Sequence, residues 1–287
     1  MNIQIVGAAC SVGGRHSGCR QGPEVFKHKE LVGLQQSSQH QYFWNGTEQE
    51  QLVGSSTNTA VVREYCRRLR DRVREVIRHH DFPVVIGGDH SCAIGTWAGV
   101  TQAQRGSVGM LWIDAHMDSH TPTSSGSGKI HGMPVACLLG EGDARLVDLG
   151  HKGPIFSPQH TCLVGVRSFE STEPQLLQDK GVSFYTMEQV NQLGLAKVIS
   201  LAYKKVSACP TGFGVSIDLD ALDPQDAPGV SVPEPDGLKV NELLSALRSL
   251  PRSDKLKAIE IAEFNPEFDT DGRTSTVVSK LIHSLLH

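Results

Sequence analysis

Residues Val108 to Asp118, VGMLWIDAHMD, decide how this chain is read. The first six carry no charged or hydrogen-bonding aliphatic side chain and do not alternate between apolar and polar. A short run of that kind is a strand buried on both faces, the mark of a parallel sheet covered by helices on each side. It breaks off into three titratable residues, Asp114, His116 and Asp118. The same form recurs twice. Phe82 to Ile86 leads into Gly87-Gly88-Asp89-His90-Ser91, and Gly212 to Ile217 leads into Asp218-Leu219-Asp220, with Asp223-Pro224 soon after. Apolar runs at Ile3 to Val6, Thr161 to Val166 and Lys257 to Ile261 bring the expected strands to six. Between them lie helix-length segments. Residues 58 to 79 repeat Val61, Val62, Tyr65, Leu69, Val73, Val76 and Ile77 at helical spacing, and Thr274 to Leu286 forms a closing helix. The alternation predicts an α/β fold with a mostly parallel sheet. No composition break or internal repeat divides residues 1–287, so one domain is expected.

The bulk numbers narrow the function. A chain of 287 residues with 39% hydrophobic and 20% charged side chains buries a sizeable core and is not disordered. The densest basic stretch, Arg67, Arg68, Arg70, Arg72 and Arg74, is interleaved with the apolar helix positions and reads as a solvated helix face. With a formal charge of -4 and no aromatic interleaving, nucleic-acid binding is not expected. No apolar stretch reaches the roughly 18 residues of a membrane span. The start MNIQIVGAAC runs straight into a strand, so a signal peptide is not expected either. Seven scattered cysteines fit reduced thiols in a cytoplasm. Cys10 and Cys19 could form a metal or redox pair, although no second Cys or His cluster adjoins them. The run Ser124 to Lys129, SSGSGK, lacks the first glycine and the closing Ser or Thr of a phosphate loop.

In an open parallel sheet, ligands bind beyond the carboxyl ends of the strands, so the three polar clusters converge on one edge. Taken singly, each has an ordinary reading: Asp89 as a helix cap, D-x-H-x-D as a wet turn, D-x-D as a strand end. Taken together, Asp114, Asp118, Asp218 and Asp220 crowd four carboxylates whose repulsion calls for cations. His90 and His116 add imidazoles. An oxygen-rich set with some nitrogen and no thiolate favours manganese or a similar cation over structural zinc. Six ligands suffice for two ions, which together can acidify a water.

These residues resemble the arginase (ureohydrolase) family. Its pattern of GGDHS, DAHxD and SxDxDxxDP is present at Gly87 to Ser91, Asp114 to Asp118 and Ser216 to Pro224, and the likeness runs from the glycine-studded start ending Gly22-Pro23 to Glu263-Phe264-Asn265-Pro266. The resemblance implies a three-layer α/β/α fold on an eight-stranded sheet and two Mn2+ per subunit. His90, Asp114, Asp118 and Asp218 would bind one ion, and His116, Asp114, Asp218 and Asp220 the other, with Asp114 and Asp218 as bridges. Asp118, His131 and Glu263 would be catalytic: Asp118 relaying a proton, His131 shuttling one to solvent, Glu263 gripping a guanidinium. Asp223 would stand behind the ligands. His120, Ser127, Lys129, Glu170 and Glu173 would lie on the substrate's α-amino and α-carboxylate side.

The His131-Gly-Met-Pro-Val135 run is similar to arginases proper, which implies hydrolysis of L-arginine to L-ornithine and urea. Arg167, Glu170 and Glu173 lie where arginases carry an arginine, an aspartate and a glutamate. Other positions depart. His120 and Lys129 replace asparagines usual in arginases, Val232 replaces a threonine near the metals, and PGVSVP at Pro228 to Pro233 leans toward formimidoylglutamases. N-Hydroxyarginine, guanidinobutyrate and formiminoglutamate are therefore alternative substrates, and a non-catalytic metal-stabilised relative is a further one. Family members assemble as trimers or hexamers, so a homo-oligomer is expected.

Overall fold

The computed structural model describes residues 2–37, 40–51, 57–150 and 153–286. Its centre is one sheet of eight strands: β1 (Asn2–Ala9), β2 (Gln41–Gln49), β3 (Phe82–Gly87), β4 (Val108–Ile113), β5 (Phe156–Val166), β6 (Ser183–Thr186), β7 (Phe213–Asp218) and β8 (Leu256–Ala262). They lie in the order β2-β1-β3-β8-β7-β4-β5-β6. Every pairing between neighbours is parallel, so the sheet is all-parallel where a mostly parallel one was expected.

The apolar runs split between two cores according to the two-residue period of a strand. Ile3, Ile5, Val84, Ile86, Leu111 and Ile113 face one side, where the helices Leu195–Ser207, Val240–Arg248 and Arg273–Leu286 pack through residues such as Val198, Leu243 and Leu281. Val6, Val85, Met110 and Trp112 face the other, against the helices Asn58–Arg78 and Cys92–Gln104 through Tyr65, Leu69 and Trp97. Helices on both faces of the sheet make three layers, α/β/α.

Two strands lie outside the six expected ones, and both are sheet edges. In β2, QYFWNGTEQ, three consecutive aromatics give way to a polar run and most residues are half-buried, and β6 is the four-residue SFYT. An edge strand packs against only one neighbour, so neither needs the unbroken apolar run that marks a central strand. β2 is fastened instead by the arginine-rich helix: Arg72 and Arg68 reach Glu48 at 2.7 and 3.4 Å, and an Arg72 guanidinium nitrogen donates to the Asn45 carbonyl at 2.5 Å.

Candidate metal centre and active site

The chain leaves β3 and crosses to β4, which is not its neighbour; β8 and β7 later fill the space between them. A crevice forms beyond the carboxyl ends of strands at such a crossover. The four adjacent central strands β3, β8, β7 and β4 each end in a site residue: His90, Glu263, Asp218 with Asp220, and Asp114 through Asp118. The Gly88–Ser91 turn demands a glycine at its start, because a Cβ on Gly88 would meet the Cys10 carbonyl oxygen at 2.0 Å. Asp118 and Glu263 both adopt left-handed backbone, φ 48° and 63°, a conformation that non-glycine residues keep where surrounding structure enforces it, often at functional sites.

His90, Asp114, Asp118 and Asp218 form one group, all buried, that could hold a metal ion, and Asp114, His116 and Asp220 form a second. Asp114 belongs to both. Asp218, the other expected bridge, falls in the first group only, and its Oδ1 accepts the Asp220 N–H at 2.8 Å. His90 Nδ1 lies 3.0, 3.2 and 3.3 Å from oxygens of Asp218, Asp118 and Asp114. Its hydrogen bond goes to Asp218, and Asp118 Oδ2 is buried with no hydrogen-bond partner. On the second group, His116 Nδ1 is 3.1 Å from Asp220 Oδ2 and 3.6 Å from Asp114 Oδ1.

The far side of His90 shows which atom is meant for a cation. Ser216 Oγ donates to Glu260 Oε2 at 2.9 Å, and the same oxygen accepts the Trp97 ring N–H at 3.1 Å. The serine hydrogen being spent there, its oxygen can only accept at the 3.0 Å contact with His90 Nε2. Nε2 therefore carries one hydrogen, which leaves Nδ1, among three carboxylates, as the atom that either takes a second proton or, bare, turns its lone pair to a metal ion. That arrangement is repulsive until a proton or a metal ion sits among them, and it is the outer-partner pattern of metal-bound histidines. Trp112 stacks on the His90 ring with centroids 4.1 Å apart, and its N–H donates to Asp114 Oδ2 at 2.8 Å.

The charge balance follows from this crowding. Burial opposes charge on His90 and His116, but the carboxylates around each outweigh it and hold both imidazoles well above the ordinary histidine range. Burial, then the charge of Asp114, pushes Asp118 up to about 7. Asp218 is raised by burial, then by Asp220 and Asp114. Asp114 is held low, burial being overcome by the two flanking imidazoles. A donor set of carboxylates and bare imidazole nitrogen, short of positive charge, fits divalent cations of the hard-to-borderline kind.

His131 and Glu263 stand beside the first group. Glu263 Oε1 accepts from the His90 backbone N–H at 3.0 Å and from His131 Nδ1 at 3.1 Å. Of the residues expected on the substrate side, His120, Glu170 and Glu173 come together: His120 Nε2 is 2.6 Å from Glu170 Oε2 and 3.3 Å from Glu173 Oε2, with Glu173 buried. Ser127 and Lys129 are not brought to that group. They sit on a turn in which the Lys129 N–H donates to Ser127 Oγ at 3.3 Å. Asp223 does not back a ligand either, since it pairs with Lys239 at 2.6 Å and accepts the Gln225 N–H at 2.9 Å. Asp89 stands at the start of the helix Cys92–Gln104, where its Oδ1 accepts the Ser91 N–H at 3.0 Å. Its Oδ2 accepts from the Gly13 and Gly14 N–H groups at 2.9 and 3.2 Å, tying the first loop to the site. Cys10 and Cys19 are free buried thiols, and neither joins a metal-holding group among the described residues.

Sequence reasoning missed Glu234, 3.4 Å from His116 Nε2, and the Ser216–Glu260 support of His90. Ser216 lies inside the quoted motif, but its partner is set by the register that places Ser216 opposite Glu260 on β8.

Fold and site together define a metal-dependent hydrolase on a three-layer α/β/α frame. The chain belongs to the arginase family, whose model, described as the Arginase family, matches residues 1–287. It is 34% identical over 291 residues to an arginase of Bacillus caldovelox, covering 99% of this chain and 97% of that protein. It superposes on the crystal structure of arginase from Bacillus subtilis with a TM-score of 0.93 at 33% identity, covering 100% of this chain and 98% of the other. Entamoeba histolytica arginase, solved in complex with L-ornithine, matches with a TM-score of 0.88 at 30% identity, covering 99% of this chain and 97% of the other.

Proposed function

We propose that this protein is an arginase, a single-domain binuclear manganese enzyme that hydrolyses L-arginine to L-ornithine and urea. The observation that carries the reading is the pair of metal-holding groups joined through Asp114, with the Glu263 carboxylate beside them. The family relationship and the ornithine complex of the Entamoeba relative support the choice of arginine. His90, Asp114, Asp118 and Asp218 would hold one ion, and His116, Asp114 and Asp220 the other, with Asp218 reaching it as a second bridge. When bound, the two ions supply the Lewis acidity that makes water a nucleophile near neutral pH.

The chain's own residues do the rest. Glu263 grips the guanidinium in a charge-assisted pair and orients its carbon toward the ligand carboxylates. Asp118 accepts the proton of the attacking water and passes it to the leaving amine. His131, half-buried between Glu263 and solvent, carries the other proton, the one shed when the water ionises, between the site and bulk water. His120, Glu170 and Glu173 face the α-ammonium end of the substrate, with Ser127 and Lys129 further out toward its carboxylate. We place the enzyme in the cytoplasm as a homo-oligomer, a trimer or hexamer. No helix of the described residues is long and apolar enough to cross a membrane.

The test is urea release from purified, manganese-loaded protein with L-arginine, agmatine, guanidinobutyrate and N-hydroxyarginine side by side, and ammonia release from formiminoglutamate in parallel. Release of urea chiefly from L-arginine is the expected result. Turnover of another compound alone would refute arginine as the substrate, and silence on all five with metal bound would refute catalysis.

A further inference from the structure

Glu263 has a second carboxylate oxygen, and its partners are unusual. Cys19 Sγ donates to Glu263 Oε2 at 3.2 Å and lies 2.8 Å from Ser231 Oγ. Ser231 Oγ in turn accepts from Asn265 Nδ2 at 3.0 Å. The amide of Asn265 is oriented by its other end, where Oδ1 accepts the Glu267 N–H at 3.1 Å. All four side chains are buried, with exposures of 1% for Cys19, 8% for Ser231, 3% for Glu263 and 0% for Asn265.

The direction of each bond follows from counting hydrogens. A carboxylate only accepts, so the one thiol hydrogen of Cys19 goes to Glu263. At the Cys19–Ser231 contact the hydroxyl must then be the donor, with the sulfur accepting. The Ser231 oxygen keeps its lone pairs for the Asn265 amide. The result is a one-way relay, Asn265 N–H to Ser231 O–H to Cys19 S–H to Glu263, in which each bond polarises the next. The backbone is shaped for it: a Cβ on Gly18 would meet Asn265 Oδ1 at 2.1 Å, so only glycine before Cys19 lets the first loop close onto the segment after β8.

We propose that Cys19 is a positioning residue for guanidinium recognition, holding Glu263 Oε2 through a thiol that Ser231 and Asn265 orient. The proposal rests on the arginase reading only for the identity of the ligand that Glu263 grips. With Oε1 held by His90 and His131 and Oε2 by Cys19, the carboxylate has a fixed plane to present to a planar cation. Burial pushes the Cys19 thiol well above its ordinary range, as does the charge of Glu263. The sulfur therefore stays protonated and keeps its hydrogen for donation.

The experiment compares Cys19→Val, which keeps bulk and removes the donor, with Cys19→Ser, which keeps a donor, and with Ser231→Ala. In manganese-loaded protein, Cys19→Val is expected to raise KM for L-arginine about tenfold, the effect of losing a hydrogen bond to a charged group, with a much smaller change in kcat. Cys19→Ser restores most of the loss, and Ser231→Ala raises KM less than Cys19→Val. Inhibition by L-ornithine, which has no guanidinium, stays unchanged throughout. A second readout needs no metal: in the infrared difference spectrum of wild type minus Cys19→Val, the Cys19 S–H stretch lies below that of free thiols, and it moves toward the free value in Glu263→Gln. An unchanged KM in folded Cys19→Val, or equal weakening of arginine and ornithine, would overturn the proposal, as would an S–H band indifferent to Glu263. A wild type that releases no urea while its S–H band responds to Glu263→Gln would leave the thiol–carboxylate contact standing and remove the arginase reading instead.

Discussion

Glu263 Oε1 accepts from both the His90 backbone N–H and His131 Nδ1. Burial works against a charged His131, but the Glu263 hydrogen bond and charge raise it from an ordinary 6.5 to about 9. A histidine whose folded value is raised contributes stability in full below its unfolded value and loses it as pH climbs through the folded one. In metal-free protein, the stability advantage of wild type over His131→Gln should therefore be complete near pH 6 and fade between about pH 6.5 and 9. Denaturant melts across that range check it, and a constant difference would contradict the pairing. The support behind His90 makes a second prediction at this scale. Ser216→Ala removes the acceptor of the Nε2 hydrogen, and manganese should bind about 10–100-fold more weakly while the fold persists, measured by metal titration. The candidate ligands themselves are legible in sequence because each stands where an apolar strand ends. Ser216, Glu260 and Glu234 are not, since their roles depend on which strands lie side by side and on where side chains point, and neither is written in a single stretch.

Among the elements, the loops after β5 and β7 are joined by one side chain. The Arg167 guanidinium donates to the carbonyls of Asp220, Glu234, Pro235, Ala221 and Gly165 at 2.7 to 3.2 Å. Asp220 belongs to the second metal-holding group and Glu234 touches His116, so the clamp shapes that half of the centre. Lysine has the charge but not the planar fork of donors. Arg167→Lys should leave carbonyls unpaired, lower stability by about 1–3 kcal/mol and loosen one manganese in preference to the other. Calorimetric unfolding together with a metal titration checks both, and equal loss of the two ions would contradict it. The central strands are readable as apolar runs because helices cover them on both faces. β2 and β6 are hidden for the opposite reason: with a neighbour on one side only, β2 is held by Glu48 and Asn45 against the arginine helix, contacts that no hydrophobic pattern announces.

At the scale of the molecule, the strand order does what no motif does alone. GGDHS, DAHMD and SIDLD are separated by long stretches of sequence, yet β3, β8, β7 and β4 set their ends in one row. The α/β class follows from apolar runs alternating with helical periods, and the convergence on the carboxyl edge follows from parallel topology. The sharing of Asp114 alone between the two groups, and the meeting of His120 with Glu170 and Glu173, depend on side-chain directions that only the folded chain reveals. The account's central claim is that these residues form one catalytic centre for two manganese ions. Titrating metal-free protein with manganese while counting bound ions and following urea release from L-arginine tests it most directly. The account predicts two ions per chain, with turnover complete only as the second binds. Full turnover at one ion per chain, or urea release independent of bound manganese, would contradict it.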